Sequence, residues 1–255
     1  MFLFTSTVRY KQPMESAFAA CEATVRRADP DRYFSALFAP ADKRPSLYAL
    51  YAFNHEIARI GELVREPMMG EIRLQWWREG LESARAQKPR EHDVLRALSQ
   101  TFAHTDLPSE LFESILDARG FDFSAETFVA DAARDAYLDL TSGNLMRLAA
   151  RILGAGDRLD ALAHESGLAY GLAGLLRSRP LHAARNKLFI RDDQSAARDA
   201  HAHFDRARQL VKPGGALAAF LPATLVPLYL RDTAKDVSLH RKLLTFLFAS
   251  WRGGI

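Results

Sequence analysis

The run Arg32-Tyr33-Phe34, followed by Phe38-Ala39-Pro40, Lys43-Arg44-Pro45 and Leu47-Tyr48-Ala49-Leu50-Tyr51-Ala52-Phe53, decides how the rest of this chain is read. Helix is predicted on both sides of Pro40, a short one over residues 33–38 and a long one over about 43–64. Pro45 suits the first turn of the second, where the amide it lacks would have no intrahelical partner. Upstream, a helix over about 15–28 ends at Asp29-Pro30-Asp31, because proline disfavours helical backbone in the residue before it.

Downstream the helical period recurs, and strand-like alternation is scarce. Pro67 and Gly70 interrupt the path before a helix over 71–85. Further helices are predicted over 93–103, 109–119, 125–153, 158–177, 194–211, 215–229 and 237–251. Ser124 reads as the N-cap of the longest, its hydroxyl accepting a first-turn amide, and Gly154 and Gly156 read as its stop. No repeat, low-complexity tract or proline-rich linker divides the sequence, so one all-α domain over 1–255 is expected, with mobile ends at 1–13 and 252–255.

At 255 residues the chain can bury one sizeable core, and 48% hydrophobic with 25% charged residues argues against disorder. A net charge of +3 is too small for a nucleic-acid partner, which needs a concentrated basic face, but leaves room for a mildly basic patch toward phosphates or anionic lipid. Cys21 is the single cysteine, so an intramolecular disulfide and a cysteine-built metal site are excluded and a reducing compartment fits. Met1-Phe2-Leu3-Phe4 lacks the charged start of a signal peptide, and no run of 18 apolar residues predicts a membrane span.

The opening segments resemble the start of squalene and phytoene synthases. Tyr137 through Ser142-Gly143-Asn144 to Ile152-Leu153-Gly154 is similar to that family's central helix. Gly167-Leu168-Ala169-Tyr170-Gly171-Leu172 through Leu175-Leu176-Arg177 is similar to the helix bearing its second aspartate motif. The resemblance implies an isoprenoid-synthase-like helical bundle around a central cavity. In the family, two aspartate-rich segments on facing helices hold magnesium, which grips prenyl diphosphates. Magnesium demands oxygen ligands in near-octahedral geometry, and carboxylates about one turn apart share a helix face.

In this chain the first motif falls at Ala58, Arg59 and Glu62, and the second at Ser178-Arg179-Pro180-Leu181-His182. Only Glu62 can still ligate, since a guanidinium has no lone pair to give. The segment Arg185-Asn186-Lys187-Leu188-Phe189-Ile190 also departs from the family's Gly-Arg and Tyr-Leu-Pro pattern near the pocket mouth.

Asn54 with Glu56, the run Gly70-Glu71-Ile72-Arg73-Leu74-Gln75-Trp76-Trp77-Arg78, and Leu176-Arg177-Ser178-Arg179-Pro180 are most similar to the family's aspartate-poor branch, which includes a mitochondrial complex I assembly factor. This implies a non-catalytic protein assisting assembly of respiratory complex I, with complex I subunits or assembly intermediates as partners. No cofactor and no bound metal are expected, and the retained cavity would take a lipid or isoprenoid-type ligand. The expected location is the cytoplasm with peripheral contact at the inner membrane, or the mitochondrial matrix in a eukaryote.

Candidate ligand-binding residues are Arg44, Asn54, Arg59, Glu62, Asn144, Arg177 and Arg179. Arginines can grip phosphate bidentately without a metal; otherwise they pair with Glu56, Glu62 and Glu71. Asn144, in an otherwise apolar helix, either meets a ligand or satisfies a nearby backbone group. The competing reading is an active head-to-head prenyltransferase with magnesium on Glu62 together with Glu56, Glu71 or Asp122. A third is a lipid-phosphate-binding module in which arginines replace the metal.

Trp76 and Trp77 point about 100° apart on a helix, so only one enters the core. His201 and His203 lie two apart and cannot chelate together, which argues against zinc. Residues 217–230, with Pro222 and Pro227, read as a proline-kinked core helix, with a membrane-touching surface as the alternative. A phosphate loop, a nucleophile elbow and a paired-cysteine motif are missing from the sequence.

Overall fold

The computed structural model describes residues 8–124, 126–185 and 187–255, so residues 1–7 of the expected mobile start lie outside the described part. Its helices run α1 (Val8–Ala28), α2 (Pro30–Ala36), α3 (Arg44–Ala58), α4 (Ile60–Leu63), α5 (Pro67–Arg85), α6 (Asp93–His104) and α7 (Ser109–Arg119). A 3-10 turn (Gly120–Phe123) leads to α8 (Asp131–Leu138), a π turn (Asp139–Gly143), α9 (Asn144–Ile152), α10 (Asp160–Arg177), α11 (Arg179–Ala183) and α12 (Asp193–Gln209). Two 3-10 turns (Gly214–Ala219 and Leu221–Leu225), α13 (Val226–Arg231) and α14 (Leu239–Arg252) complete the order, with no strand among the described residues.

Where these elements differ from expectation, the cause is local. Asp29-Pro30 ends α1 and also starts α2, since the Asp29 carboxylate accepts the Arg32 amide at 3.1 Å while Pro30 occupies the first turn. The expected helix over 43–64 divides at Arg59, leaving α4 as a separate turn. The expected helix over 125–153 begins only at Asp131. Ser124 therefore does not cap it; its hydroxyl accepts the Glu126 amide at 3.3 Å in a turn.

Gly154 does stop α9. Its φ is +81°, its amide bonds to Arg151 at 2.9 Å, and the Ala155 amide reaches back to Ala150 at 3.0 Å. The segment over 215–229 is two 3-10 turns and a short helix, because Pro222 and Pro227 cannot donate to an α-helical ladder. Phe220, Leu221, Ala223, Leu225 and Val226 are fully buried there, so this stretch is core and its membrane-touching alternative is excluded.

The apolar interior has two parts. Leu50, Phe53, Leu95 and Phe112 belong to one, gathered by α3, α6 and α7; Leu172, Phe204, Leu225 and Phe246 belong to the other, built around α10. Trp77 is buried edge-on against Phe53 with ring centroids 5.7 Å apart, whereas Trp76 remains 38% exposed. Between the two parts lies buried Asp31, which accepts Tyr170 Oη at 2.9 Å, Lys242 Nζ at 2.9 Å and the Tyr229 hydroxyl. Burial drives the Tyr170 and Tyr229 hydroxyls far above their ordinary pKa, so both remain donors.

α10 approaches the π turn with backbone against backbone. A Cβ at Gly167 would lie 2.5 Å from the Gly143 Cα, too close for any side chain. Nothing lies within 4 Å of a Cβ built at Gly174 in the same helix. In urea unfolding, Gly167→Ala should therefore lose about 2–4 kcal/mol through backbone displacement. Gly174→Ala should be neutral or gain up to about 1 kcal/mol from helix propensity.

Candidate functional site

A cavity of about 620 Å³ opens where α3 and α4 face the end of α10, α11 and the segment after it. Ala58 at the end of α3, Glu62 on α4 and Arg65 just past α4 all line it. Gly61 permits the enclosure: a Cβ there would lie 2.9 Å from Asp122 Cβ, so only glycine lets α4 settle onto the 3-10 turn. Gly70 does the same for the Phe123 ring, which would lie 2.6 Å from its Cβ.

On the inner wall, Asp122 Oδ1 accepts the Tyr137 hydroxyl at 2.7 Å, and Oδ2 accepts Arg119 Nη1 at 3.1 Å. The same Arg119 nitrogen donates to Tyr137 Oη at 2.9 Å. Burial opposes the charge on Arg119, but Tyr137 and Asp122 outweigh it and raise its pKa, which makes it a permanent cation. Burial also lifts the Tyr137 hydroxyl well above its usual range. Arg119 Nε is buried without a hydrogen-bond partner among the described residues.

The facing wall carries Arg185, whose Nη1 lies 3.3 Å from Glu62 Oε1. Lys187 Nζ donates to the carbonyls of Ser124 at 2.9 Å and Glu126 at 2.8 Å while sitting 3.8 Å from the Phe121 ring centre. Burial draws its pKa below the ordinary lysine value. His182 packs on the Phe189 ring with centroids 4.6 Å apart, and burial lowers its pKa, so it is neutral at neutral pH.

Among the described residues the cavity thus presents Arg65, Arg119, Arg185 and Lys187 against two carboxylates, Glu62 and Asp122. Each carboxylate already faces a guanidinium. This donor set does not fit a magnesium cluster, which needs several free oxygen ligands around each ion. Nor is any group of three or more His, Cys, Asp or Glu among the described residues placed to hold a metal ion. Glu56 instead lies 3.8 Å from Arg59, and Glu71 is exposed on α5.

Of the candidates read from sequence, Glu62 borders this cavity. Arg44 donates to the carbonyls of Ala39 at 3.0 Å and Leu37 at 2.9 Å, tying down the chain after α2. Arg59 lies beside Glu56, and Arg179 pairs with Asp193. Arg177 stacks 4.0 Å from the Tyr229 ring centre and donates to Asp236 at 2.9 Å. Asn144 is buried and accepts Arg147 Nη1 at 2.8 Å, and Asn54 is buried within α3.

The cavity's cations are different ones. Arg65 was within reach of sequence reasoning, three residues past Glu62 at the end of the expected helix, and Arg185 and Lys187 fall in the segment that departs from the resembled pattern. Arg119 carried no such signal. A separate groove of about 680 Å³ along α10 and α12 is also charged, but its Glu165 is taken by His203 Nδ1 at 2.7 Å and Arg206 Nε at 3.0 Å.

Helices packed in this order define the isoprenoid synthase fold. The chain is similar to a dehydrosqualene synthase (TM-score 0.76, 17% identity, 94% of this chain and 98% of that one). It is likewise similar to squalene synthase HpnC from Alicyclobacillus acidocaldarius (TM-score 0.68, 21% identity, 94% and 95%). Residues 25–193 match the squalene/phytoene synthase family model, and the chain belongs to that family. A curated relative, "NADH dehydrogenase (ubiquinone) complex I, assembly factor 6" of Bos taurus, is 26% identical over 270 residues, spanning 91% of this chain and 81% of the relative. Its Homo sapiens counterpart is 29% identical over 171 residues, spanning 67% and 51%.

His182 makes the cavity wall sensitive to acid. Its folded pKa lies below the ordinary 6.5, so below that pH the unfolded chain binds the proton first and the fold loses stability as pH falls. Thermal melts from pH 7 to 5 should show His182→Phe with a shallower decline than wild type. Titration by NMR should place this imidazole below its usual value.

Proposed function

We propose that this chain is a non-catalytic squalene/phytoene synthase-like protein that assists the assembly of respiratory complex I. Its cavity holds a lipid or isoprenoid-type ligand, such as a prenyl phosphate or a quinone-like tail, without a metal cofactor. The observation that carries this reading is the cavity's charge, in which Arg65, Arg119, Arg185 and Lys187 surround two carboxylates that are already paired. The relatives named as complex I assembly factor 6, aligned along 91% of the chain, support the assembly role.

Physical chemistry separates holding from reacting in such a site. Guanidinium groups grip phosphate oxygens through fixed, bidentate hydrogen bonds. Catalysis requires interactions that strengthen as diphosphate leaves, which bound magnesium supplies in an active synthase. A site that grips the ground state as firmly as the departing anion binds without turning over. The partners in this reading are complex I subunits or assembly intermediates, met at the inner membrane from the cytoplasm or the mitochondrial matrix.

Two measurements test the reading. Deleting the gene in a host that depends on complex I should deplete the assembled complex on native gels, with wild-type protein restoring it; normal levels in the deletion would end the assembly role. Purified protein given farnesyl diphosphate and magnesium should release no diphosphate beyond a boiled control, and release would restore the active-synthase reading. Replacing the exposed pair in Arg65→Gln/Arg185→Gln should weaken farnesyl phosphate binding by roughly tenfold or more, the scale of a lost charge-assisted hydrogen bond.

A further inference from the structure

α14 leaves an apolar stripe in solvent. Leu244, Leu247, Phe248 and Trp251 are 65, 56, 56 and 83% exposed, and their spacing places them on one helix face. The opposite face is committed to the interior. Lys242, Phe246 and Ala249 are buried, Lys242 Nζ is bonded to Asp31 at 2.9 Å, and Phe246 meets Phe38 edge-on at 6.1 Å between centroids. The helix cannot roll to hide the stripe without breaking that buried ion pair.

The surroundings of the stripe are basic. α14 contains no acidic residue, and His240, Arg241 and Arg252 are all exposed. The Arg252 guanidinium lies 5.4 Å from the Phe248 ring centre. At the same end, a groove of about 420 Å³ between the ends of α12 and α14 is lined by Arg208, Lys212 and Arg252, with Asp205 as its carboxylate. Val211, 56% exposed beside that groove, extends the apolar surface.

From this arrangement we propose that α14 seats the protein on an anionic lipid bilayer. The stripe lies at the boundary of headgroups and acyl chains, and Arg241, Lys212 and Arg252 meet lipid phosphates. Aromatic and leucine side chains opposed to a charged face suit a helix lying in the interfacial plane. No helix among the described residues is long and apolar enough to cross a membrane, so α14 rests on the surface. A second copy of the chain fits less well. The four side chains expose on the order of 500 Å², which suits a functional surface patch but falls short of the roughly 800 Å² per partner of a stable interface. A two-fold contact through the same patch would also bring two basic surfaces together, with no acidic residue on α14 to offset them.

Flotation of the full chain with phosphatidylcholine vesicles, with and without phosphatidylglycerol, tests this surface separately from the cavity. Binding is expected on the anionic vesicles only, weakening as salt rises. Leu247→Ser/Trp251→Ser and Arg241→Gln/Arg252→Gln should each reduce it at least tenfold while circular dichroism and melting temperature stay unchanged, since all four side chains are exposed. Failure to float, equal binding to neutral vesicles, or binding that survives both double substitutions would overturn the proposal. So would concentration-dependent dimerisation that is lost in Leu247→Ser/Trp251→Ser without any vesicle binding, which would assign the stripe to a second copy.

Discussion

The two parts of the bundle meet at a buried carboxylate. Asp31 is 6% exposed and receives donors from α10, α13 and α14 through Tyr170, Tyr229 and Lys242. A charge taken out of water is costly unless it is paired and its lone pairs are filled, and Asp31 meets both conditions only when all three helices are in register. Beside it, Arg32 is bound to Asp29 at 2.7 Å and lies over the Tyr170 ring at 5.0 Å, so a second ion pair braces the same junction. Apolar packing alone tolerates sliding, whereas a hydrogen-bonded ion pair in a dry interior does not.

That constraint reaches the cavity through α10. With Tyr170 anchored, the end of α10 carries Leu175 to the cavity wall, and α11 and the segment beyond it deliver His182, Arg185 and Lys187. The opposite wall depends on bare backbone, because Gly61 and Gly70 admit Asp122 and Phe123 where any side chain would intrude. The isoprenoid synthase fold is therefore kept, and in this chain's cavity cations stand around the two paired acids.

Through Lys242 the same carboxylate also orients α14. The buried face of that helix is set by the ion pair and by Phe246, which leaves the leucine and tryptophan stripe no interior to enter. One junction thus governs both surfaces that could meet other molecules, the cavity by way of α10 and the basic apolar face by way of α14. Cys21 takes no part in either, since burial pushes its thiol up to about 12 and keeps it protonated.

Periodicity and the placement of proline and glycine were enough, from sequence, to establish an all-helical chain, and residue identity at the motif positions was enough to establish the family and the missing carboxylates. These are local properties, written within a few turns of helix. The π turn pressed by Gly167 and the seating of Gly61 on Asp122 needed the neighbours that impose them. So did the choice of arginines: Arg59 and Arg179 occupy the motif positions but pair at Glu56 and Asp193, while Arg119 and Arg185 face the cavity. The partners of Asp31 lie 139, 198 and 211 residues away along the chain. No local pattern encodes which way a charged side chain turns, because that is decided by the opposing charge and excluded water it finds only after the helices have packed.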